Sequence, residues 1–352
     1  MTPALPDMAR SNTTHAWADL ADRILSREHA CSPEQALAVL QAPDGQILDI
    51  LAAAYRLRRH YFGDTVKLNF LINAKSGACA EDCHYCSQSR LSDAPIRVYG
   101  LQTTQELLDG AARAVQLKAS TCCIVLSGRG PTDNEVGYVT EAVKQIKQQQ
   151  PGLKICACMG LLKPEQARAL AAAGVDRYNH NLNTSQRHYD DICTTHTYDQ
   201  RVETVNTARD AGMSPCCGMI AGMGERDQDI VEVALALRNI HADSIPVNFL
   251  IAIDGTPLSG LGTTKKLTPR YCLKLLCMHR FVNPDREIRV SAGREVHLRS
   301  LQPMALYPAN AIFAADYLTE PGQPVQLDWQ MIEDLGFQVE PLGAPNGPLV
   351  NA

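Results

Sequence analysis

Three cysteines in the first quarter of the chain have the spacing of a metal-cluster motif. Cys79, Cys83 and Cys86 follow the pattern C-x3-C-x2-C. Thiolates are the usual ligands of iron–sulfur clusters, and a [4Fe–4S] cluster takes four ligands. The motif therefore predicts a cluster with one iron left open to a small molecule. The alternative is a zinc site that adds His84, although structural zinc prefers paired spacings.

The other cysteines also indicate metal binding. Thirteen cysteines in 352 residues is well below the about 8–10% of a secreted disulfide scaffold, so we expect reduced thiols. Six of them lie in the middle of the chain: Cys122, Cys123, Cys156, Cys158, Cys216 and Cys217. The remaining four, Cys31, Cys193, Cys272 and Cys277, lie in predicted helical or loop segments and are expected to pack in the core.

The segments that would position these thiols alternate between strand and helix. Eight apolar or β-branched runs are separated by stretches of helical period, and they cover residues 66–73, 121–127, 153–159, 175–182, 214–222, 243–251, 287–292 and 310–315. Crossovers between parallel strands are right-handed, and eight repeats in ~250 residues match the α/β class as a (β/α)8 TIM-type barrel. An open doubly wound sheet is the alternative.

The regions outside these repeats look peripheral. We predict a disordered N-terminus over 1–13, a helical lead-in over 14–62, the barrel over 63–320, a C-terminal helix region over 321–340 and a flexible tail over 341–352. Within the lead-in, Ser32-Pro33-Glu34-Gln35 has the pattern of a helix capping box.

Composition excludes several function classes. The formal charge is −5 with a pI near 6.1, which disfavours a nucleic-acid surface. No apolar run approaches the ~18 residues of a membrane span, and no signal peptide is visible. We therefore expect a soluble, cytoplasmic protein that binds neither nucleic acid nor membrane.

Polar residues inside predicted strands point to a site within the barrel. Asn179, Asn181 and Asn183 recur with period two on the fourth strand and its exit, so they share one face. Arg289 lies in the apolar seventh strand, where a buried guanidinium needs an anionic partner. Barrel enzymes build their active sites at the carboxyl ends of the strands.

The cysteine motif resembles the radical S-adenosylmethionine superfamily, whose open iron is chelated by the amino and carboxylate groups of that cofactor. Longer segments are similar to the biotin synthase family in the order that family has them. They are GACAEDCHYC (77–86), YNHNLNTS (178–185), GMGE (222–225), GTPL (255–258) and RVSAGRE (289–295).

The resemblance implies a reaction and two clusters. The reaction is radical insertion of sulfur into dethiobiotin to form biotin, a sulfurtransferase activity driven by cleavage of S-adenosylmethionine at a [4Fe–4S] cluster on the three motif cysteines. A second, auxiliary [2Fe–2S] cluster would donate the sulfur, held by Cys123, Cys156, Cys216 and Arg289. Strand alternation alone leaves Cys122, Cys158 and Cys217 as rivals, because adjacent thiols face opposite sides and the register is not known.

The resemblance also assigns binding residues. Those implied to bind S-adenosylmethionine are Tyr85, Asn181, Asn183 and Arg201. Those implied to meet dethiobiotin are Asn179 and Asn248. Many family members have Asp where this chain has Asn183, and Ser127-Gly128-Arg129-Gly130 departs from the superfamily's Gly-Gly-Glu. The implied partners are an external electron donor such as flavodoxin or ferredoxin, cluster assembly proteins and a second copy in a homodimer.

Three other functions compete with this interpretation. Lipoyl synthase needs a further cysteine triplet before the motif, and only Cys31 precedes Cys79. A maturase of the same fold that inserts no sulfur would not turn over dethiobiotin. A zinc-stapled regulatory or binding protein would hold no iron or sulfide.

Overall fold

Parallel strands at the centre of the molecule are surrounded by helices. The structure is a computed structural model that describes residues 9–260, 267–345 and 347–349. The strands are β1 (Thr65–Lys75), β2 (Thr121–Leu126), β3 (Lys154–Cys158), β4 (Arg177–Asn179), β5 (Ser214–Cys216), β6 (Met219–Ala221), β7 (Ser244–Phe249), β8 (Glu287–Val290), β9 (Ala311–Phe313) and β10 (Gln338–Val339).

Helices precede the barrel, connect its strands and follow it. They are α1 (Ala9–Leu25), α2 (Pro33–Gln41), α3 (Ile47–Phe62), α4 (Thr104–Gln116), α5 (Asp133–Gln149), α6 (Pro164–Ala172), α7 (Tyr198–Asp210), α8 (Asp227–Asn239), α9 (Pro269–Val282), α10 (Arg294–Leu298) and α11 (Val325–Asp334). Short 3₁₀ helices cover Asp44–Gln46 and Arg299–Leu306. In the part of the chain that the structure describes, no helix is both long and apolar enough to cross a lipid bilayer.

The strands close into a barrel. Each strand pairs in parallel with its neighbour, and the last barrel strand, β9, returns to β1 with Lys67 opposite Ala311. The predicted (β/α)8 barrel is confirmed. An open sheet is excluded because β1 and β9, which would be its two edge strands, pair with each other. Outside the barrel, β10 adds to the start of β1.

The fifth predicted strand is split. Residues 214–222 form β5 and β6, which both pair with β7. The break falls at Cys217 and Gly218, where the backbones approach closely: a Cβ on Gly218 would lie 1.9 Å from the carbonyl oxygen of Pro246. Only glycine allows this contact, so the kink between β5 and β6 depends on Gly218.

Local sequence determines where several helices begin. The predicted capping box at α2 is present, with the Ser32 hydroxyl accepting from the Gln35 N–H and the Gln35 side chain accepting from the Ser32 N–H. The same reciprocal pattern opens α4 at Thr103, α5 at Thr132 and α7 at Thr197. Each box satisfies backbone donors that the first turn leaves without partners.

Helix α1 and the described residues near the C-terminus contact the body of the molecule. Residues 1–8 of the predicted disordered segment lie outside the described residues, and α1 already begins at Ala9. At the other end the Leu349 N–H donates to the Tyr61 carbonyl over 2.6 Å, and the Ala344 carbonyl accepts from Lys154. The proposed division into lead-in, barrel, C-terminal helix region and tail stays a prediction.

Substituting Gly218 should test the role of the kink. Gly218→Ala should lower the free energy of unfolding by ~1–3 kcal/mol or more, because the added methyl overlaps backbone atoms. Gly137→Ala is the matched control: Gly137 is exposed on α5 with open space around its Cα, so alanine should raise stability by about 0.5–1 kcal/mol. Urea unfolding followed by far-ultraviolet circular dichroism measures the free energy of unfolding of both variants. Equal changes in the two variants would contradict the role of Gly218 in the kink.

Candidate functional site

A cavity of about 390 Å³ opens at the carboxyl ends of the barrel strands. It is lined by loop residues that follow β1, β2, β3, β4, β7 and β9, and by side chains from inside the barrel. The structure places eleven of the sequence-predicted site residues on its wall: Cys79, Cys83, Tyr85, Cys86, Cys123, Asn179, Asn181, Asn183, Arg201, Asn248 and Arg289. The other two, Cys156 and Cys216, lie in one buried cluster with Cys123.

The motif cysteines lie on the loop after β1, which is held by a carboxylate. Asp82 accepts from the backbone N–H groups of Thr194 and Thr195 at 2.9 and 3.2 Å, and from both hydroxyls. Burial opposes ionisation of Asp82, but these hydrogen bonds outweigh it and lower the pKa of the carboxyl. The loop is therefore tied to the segment between β4 and α7.

Cys83 has a neighbour that the sequence did not indicate. Its Sγ lies 3.7 Å from Sγ of Cys193, which lies 3.4 Å from Nδ1 of His196. The three side chains are close enough to share one ion. Both ring nitrogens of His196 already have hydrogen-bond partners, however. Arg201 donates to its Nε2 over 2.6 Å, and its Nδ1 donates to Glu81. We therefore assign no ion to this group.

This arrangement extends one expectation and disfavours another. Cys193 packs in a buried cluster as expected, and it also contacts Cys83 and Asp82. The zinc alternative needs His84, and His84 does not belong to the single-ion group found among the described residues. No spacing rule would have found Cys193, because it is 110 residues from Cys83 and only the fold brings them together.

Arg201 is buried at the cavity wall. It belongs to α7, and its guanidinium donates to the backbone carbonyl of Asn181 over 2.8 Å, to the Tyr189 hydroxyl and to His196. An arginine exposed to solvent on the surface of a helix would make none of these contacts. Through His196 the guanidinium is linked to Glu81 of the cysteine loop.

The asparagines of the fourth strand reach the cavity, although β4 itself ends at Asn179. The Asn179 amide donates to Oδ1 of Asn181 at 3.1 Å and to Sγ of Cys216 at 3.2 Å. Asn183 has a positive φ of 69°, a conformation that asparagine tolerates. Its amide donates to the Tyr85 hydroxyl over 2.6 Å, so it faces the cysteine loop.

Asn248 lies on β7, separated from β4 by β5 in the barrel. Its Nδ2 donates to the Met219 carbonyl over 3.0 Å, and its Oδ1 accepts from the Ala292 N–H over 3.2 Å. These bonds fix the amide plane at the cavity surface.

The strand register decides which of the adjacent thiols face inward. Cys123 is the direct partner of Cys156 across β2 and β3, and both pack with Cys216 inside the barrel. Cys122 and Cys217 belong instead to the core beneath the helices. Cys158 lies one inward step above Cys156 and lines the cavity.

The inward thiols have unequal acidity. A hydrogen bond from the Cys156 thiol, together with the nearby charge of Arg289, lowers the pKa of Cys216 against the effect of burial. Hydrogen bonding to Cys123 and Cys216, reinforced by burial, raises the pKa of Cys156.

Arg289 stands beside these thiols, almost fully buried. Its Nη1 lies 3.9 Å from Sγ of Cys216, and its guanidinium lies 5.0 Å from the centre of the Phe313 ring. Its anionic partner is Glu287, at 2.7 Å from Nη2. The Nε atom is buried with no hydrogen-bond partner.

Both thiol sets suit iron–sulfur clusters by their chemistry. Cys79, Cys83 and Cys86 all lie on the cavity wall, and three thiols on one loop are a ligand set of the kind that holds a [4Fe–4S] cluster. The deeper set combines three thiols with a guanidinium that has an orphaned buried nitrogen. These donors fit an auxiliary cluster on Cys123, Cys156, Cys216 and Arg289.

Comparisons with known proteins agree on one family. Residues 74–237 match the model of the Radical SAM superfamily, and residues 246–338 match that of the Biotin and Thiamin Synthesis associated domain. The chain is 55% identical to the biotin synthase of Geobacillus kaustophilus (strain HTA426) over 95% of its length and 99% of that protein. It is 55% identical to that of Bacillus subtilis (strain 168) over 92% and 95%.

Solved structures share the fold. Methylornithine synthase (PylB) superposes with a TM-score of 0.78 at 19% identity, over 91% of this chain and 97% of that one. The FeFe-hydrogenase maturase HydG from Carboxydothermus hydrogenoformans gives 0.75 at 16%, over 94% and 80%. At such low identity the likeness concerns architecture alone.

The facing of neighbouring thiols can be tested with iron analysis. Cys123→Ala should remove the iron of the deeper set, about two atoms per chain for a [2Fe–2S] cluster. Cys122→Ala is the matched control. This variant should keep the iron of the deeper set, because the Cys122 thiol faces the helices. Anaerobic reconstitution followed by iron and sulfide determination measures both variants. Loss of iron in Cys122→Ala but not in Cys123→Ala would mean that Cys122 and not Cys123 faces into the barrel.

Proposed function

The chain belongs to the biotin synthase family, and on this premise we propose how its residues share the conversion of dethiobiotin to biotin. The chain is a radical S-adenosylmethionine enzyme that inserts sulfur. The observation that carries the proposal is the cavity that has one thiol set at its mouth and another at its base, with asparagine amides between them.

The reaction needs chemistry that side chains do not have. Sulfur must join a methyl and a methylene carbon, so one C–H bond must break at each, and no acid or base in the chain can do this to unactivated carbon. When bound, the two clusters and S-adenosylmethionine supply the electron, the adenosyl radical and the sulfur. The residues of the chain bind and orient the cofactor and the substrate, and they shield the site from water.

Residues at the mouth bind the cofactor. We assign Cys79, Cys83 and Cys86 to the [4Fe–4S] cluster, with the Arg201 guanidinium binding the carboxylate of S-adenosylmethionine. The bonds from Arg201 to Asn181 and His196 orient it. Asn183 already donates to Tyr85, which leaves its Oδ1 to accept from a ribose hydroxyl.

Residues at the base hold the sulfur donor. Cys123, Cys156 and Cys216 would bind the auxiliary [2Fe–2S] cluster, with Arg289 beside them. All four side chains are at most 4% exposed. This burial limits access of water and other thiols to the sulfide, which protects the sulfur until the substrate is present.

Dethiobiotin fits between the two sets. Its ureido ring has both donors and acceptors and no charge, which suits the amides of Asn179 and Asn248. Apolar wall residues such as Leu71, Ile220 and Phe313 complete the space with surface that accommodates the aliphatic carbons.

Partners and location remain part of the proposal. The chain holds no electron source, so an external donor such as flavodoxin or ferredoxin is required, and a consumed auxiliary cluster needs cluster assembly proteins. Thirteen free cysteines favour a reducing compartment such as the cytoplasm. A homodimer is expected from the family.

Radical generation and sulfur transfer should be separable by mutation. Cys156→Ala should lose biotin formation but retain cleavage of S-adenosylmethionine, because the outer three cysteines are untouched. Cys79→Ala should lose both. Anaerobic incubation with the cofactor, a reductant and dethiobiotin, followed by mass detection of biotin and 5′-deoxyadenosine, distinguishes them.

Isotope labelling tests the sulfur source in the same assay. With ³⁴S in the auxiliary cluster, the product should be ³⁴S-biotin. Unlabelled biotin would refute the role of the deeper thiols. Cofactor cleavage without any biotin would favour a maturase of the same fold.

The proposed roles of Asn183 in cofactor binding and of Asn179 in substrate binding can be tested separately. Asn183→Ala should weaken binding of S-adenosylmethionine by ~0.5–1.5 kcal/mol, the value of one neutral hydrogen bond, or about two- to twelve-fold in Kd. Asn179→Ala should weaken dethiobiotin binding more than cofactor binding. Calorimetric titration of the reconstituted protein measures both, and an unchanged cofactor Kd in Asn183→Ala would remove this residue from the ribose site.

A further inference from the structure

The barrel contains a buried group of charges beneath the deeper thiols. Glu287 is at its centre, on β8, and is 5% exposed. Its Oε2 accepts from Lys67 at 3.1 Å and from Arg177 at 2.8 Å. Its Oε1 accepts from Ser244 at 2.8 Å and from Nη2 of Arg289 at 2.7 Å.

The three nitrogens of the Arg289 guanidinium have different surroundings. Nη2 donates to Glu287 and to the Ser244 hydroxyl, which lies 2.8 Å away. Nη1 lies 3.9 Å from Sγ of Cys216, and Nε is buried without a partner. Nη2 is therefore anchored, and Nη1 faces Cys216.

This anchoring matters because arginine is flexible and its charge is costly to bury. A buried ion pair holds its geometry when its remaining polar atoms are also satisfied. Glu287 meets that condition, since both of its oxygens have two partners each. Lys67 and Arg177 donate to the oxygen that Arg289 does not use, so the carboxylate is held from both sides.

The whole group also has an excess of positive charge. Lys67, Arg177 and Arg289 all pair with Glu287, and Lys67 also lies 3.3 Å from Glu340. Three cations thus oppose two carboxylates below a set of thiol ligands. Such an excess stabilises thiolates and an anionic cluster above it.

We propose that Glu287 is a positioning residue that holds Nη1 of the Arg289 guanidinium against the auxiliary cluster. Lys67 and Arg177 hold Glu287 in turn. The inference rests on the proposed function, because it takes Arg289 as a ligand of that cluster. Residues that orient a metal ligand commonly change metal affinity or activity about 10- to 100-fold when replaced.

Pulsed electron paramagnetic resonance can test this directly. The reconstituted protein is prepared with ¹⁵N-labelled guanidinium groups, and the auxiliary cluster is reduced by one electron. The wild type should show a ¹⁵N coupling from Arg289. Glu287→Gln should lose most of that coupling and release its auxiliary iron to a chelator about tenfold faster or more, with the iron of Cys79, Cys83 and Cys86 unchanged.

Two further variants separate positioning from folding. Asp328→Asn is the matched control: it also replaces a buried carboxylate that pairs with a buried arginine, Arg294, at 2.7 Å, and neither residue is among the described residues that line the cavity. It should keep the full coupling. Glu287→Asp retains the charge, and so the fold, but is one methylene shorter, and should weaken the coupling.

Each outcome decides between the two claims. A wild type without ¹⁵N coupling overturns the assignment of Arg289 as a ligand, and with it the proposed function of this residue. A wild type with coupling that Glu287→Gln or, if that variant does not fold, Glu287→Asp fully retains overturns the positioning role alone. Loss of coupling in Asp328→Asn as well would also overturn it, because the effect would then be a general one.

Discussion

A guanidinium inside a closed barrel must have a negative partner, and the base of this site depends on how that requirement is met. Burial of an isolated charge costs far more than a folded domain can spare. Arg289 satisfies the constraint with one carboxylate, Glu287, on its own strand. That solution leaves Nη1 free of the carboxylate, so the same side chain can be both neutralised at Nη2 and presented to the thiols above.

The mouth of the cavity uses a comparable arrangement with different residues. Arg201 approaches from α7, and His196 links it to Glu81 on the cysteine loop. Asp82 next to Glu81 collects hydrogen bonds from Thr194 and Thr195. The loop that carries the motif cysteines is thus fixed from the fourth βα connection. A long loop without such ties would leave the three thiols in no defined relation.

These two ends explain why one barrel can hold incompatible steps. Cleavage of S-adenosylmethionine and insertion of sulfur are different steps of one reaction, and the barrel has two separate thiol sets, one on the loop after β1 and one inside the barrel. The same cavity is also lined by asparagine amides and apolar side chains. Family membership identifies the reaction, and the separation of the two thiol sets supports the proposed division of its steps.

The sequence by itself determined the barrel, its strand order and the cysteine motif, because strand and helix periods and short ligand spacings are local properties of the chain. It also led to Arg289 as a residue in need of a buried partner. It could not choose between Cys122 and Cys123 or between Cys216 and Cys217, since alternation shows that neighbours differ in facing but not which one points inward. Register decided that: Cys123 lies opposite Cys156 only in the pairing that β2 and β3 adopt. The contacts of Cys193 with Cys83 and of Glu287 with Lys67 were equally beyond the sequence, because residues 110 and 220 positions apart meet only when the strands close into a ring and their side chains are forced into one interior.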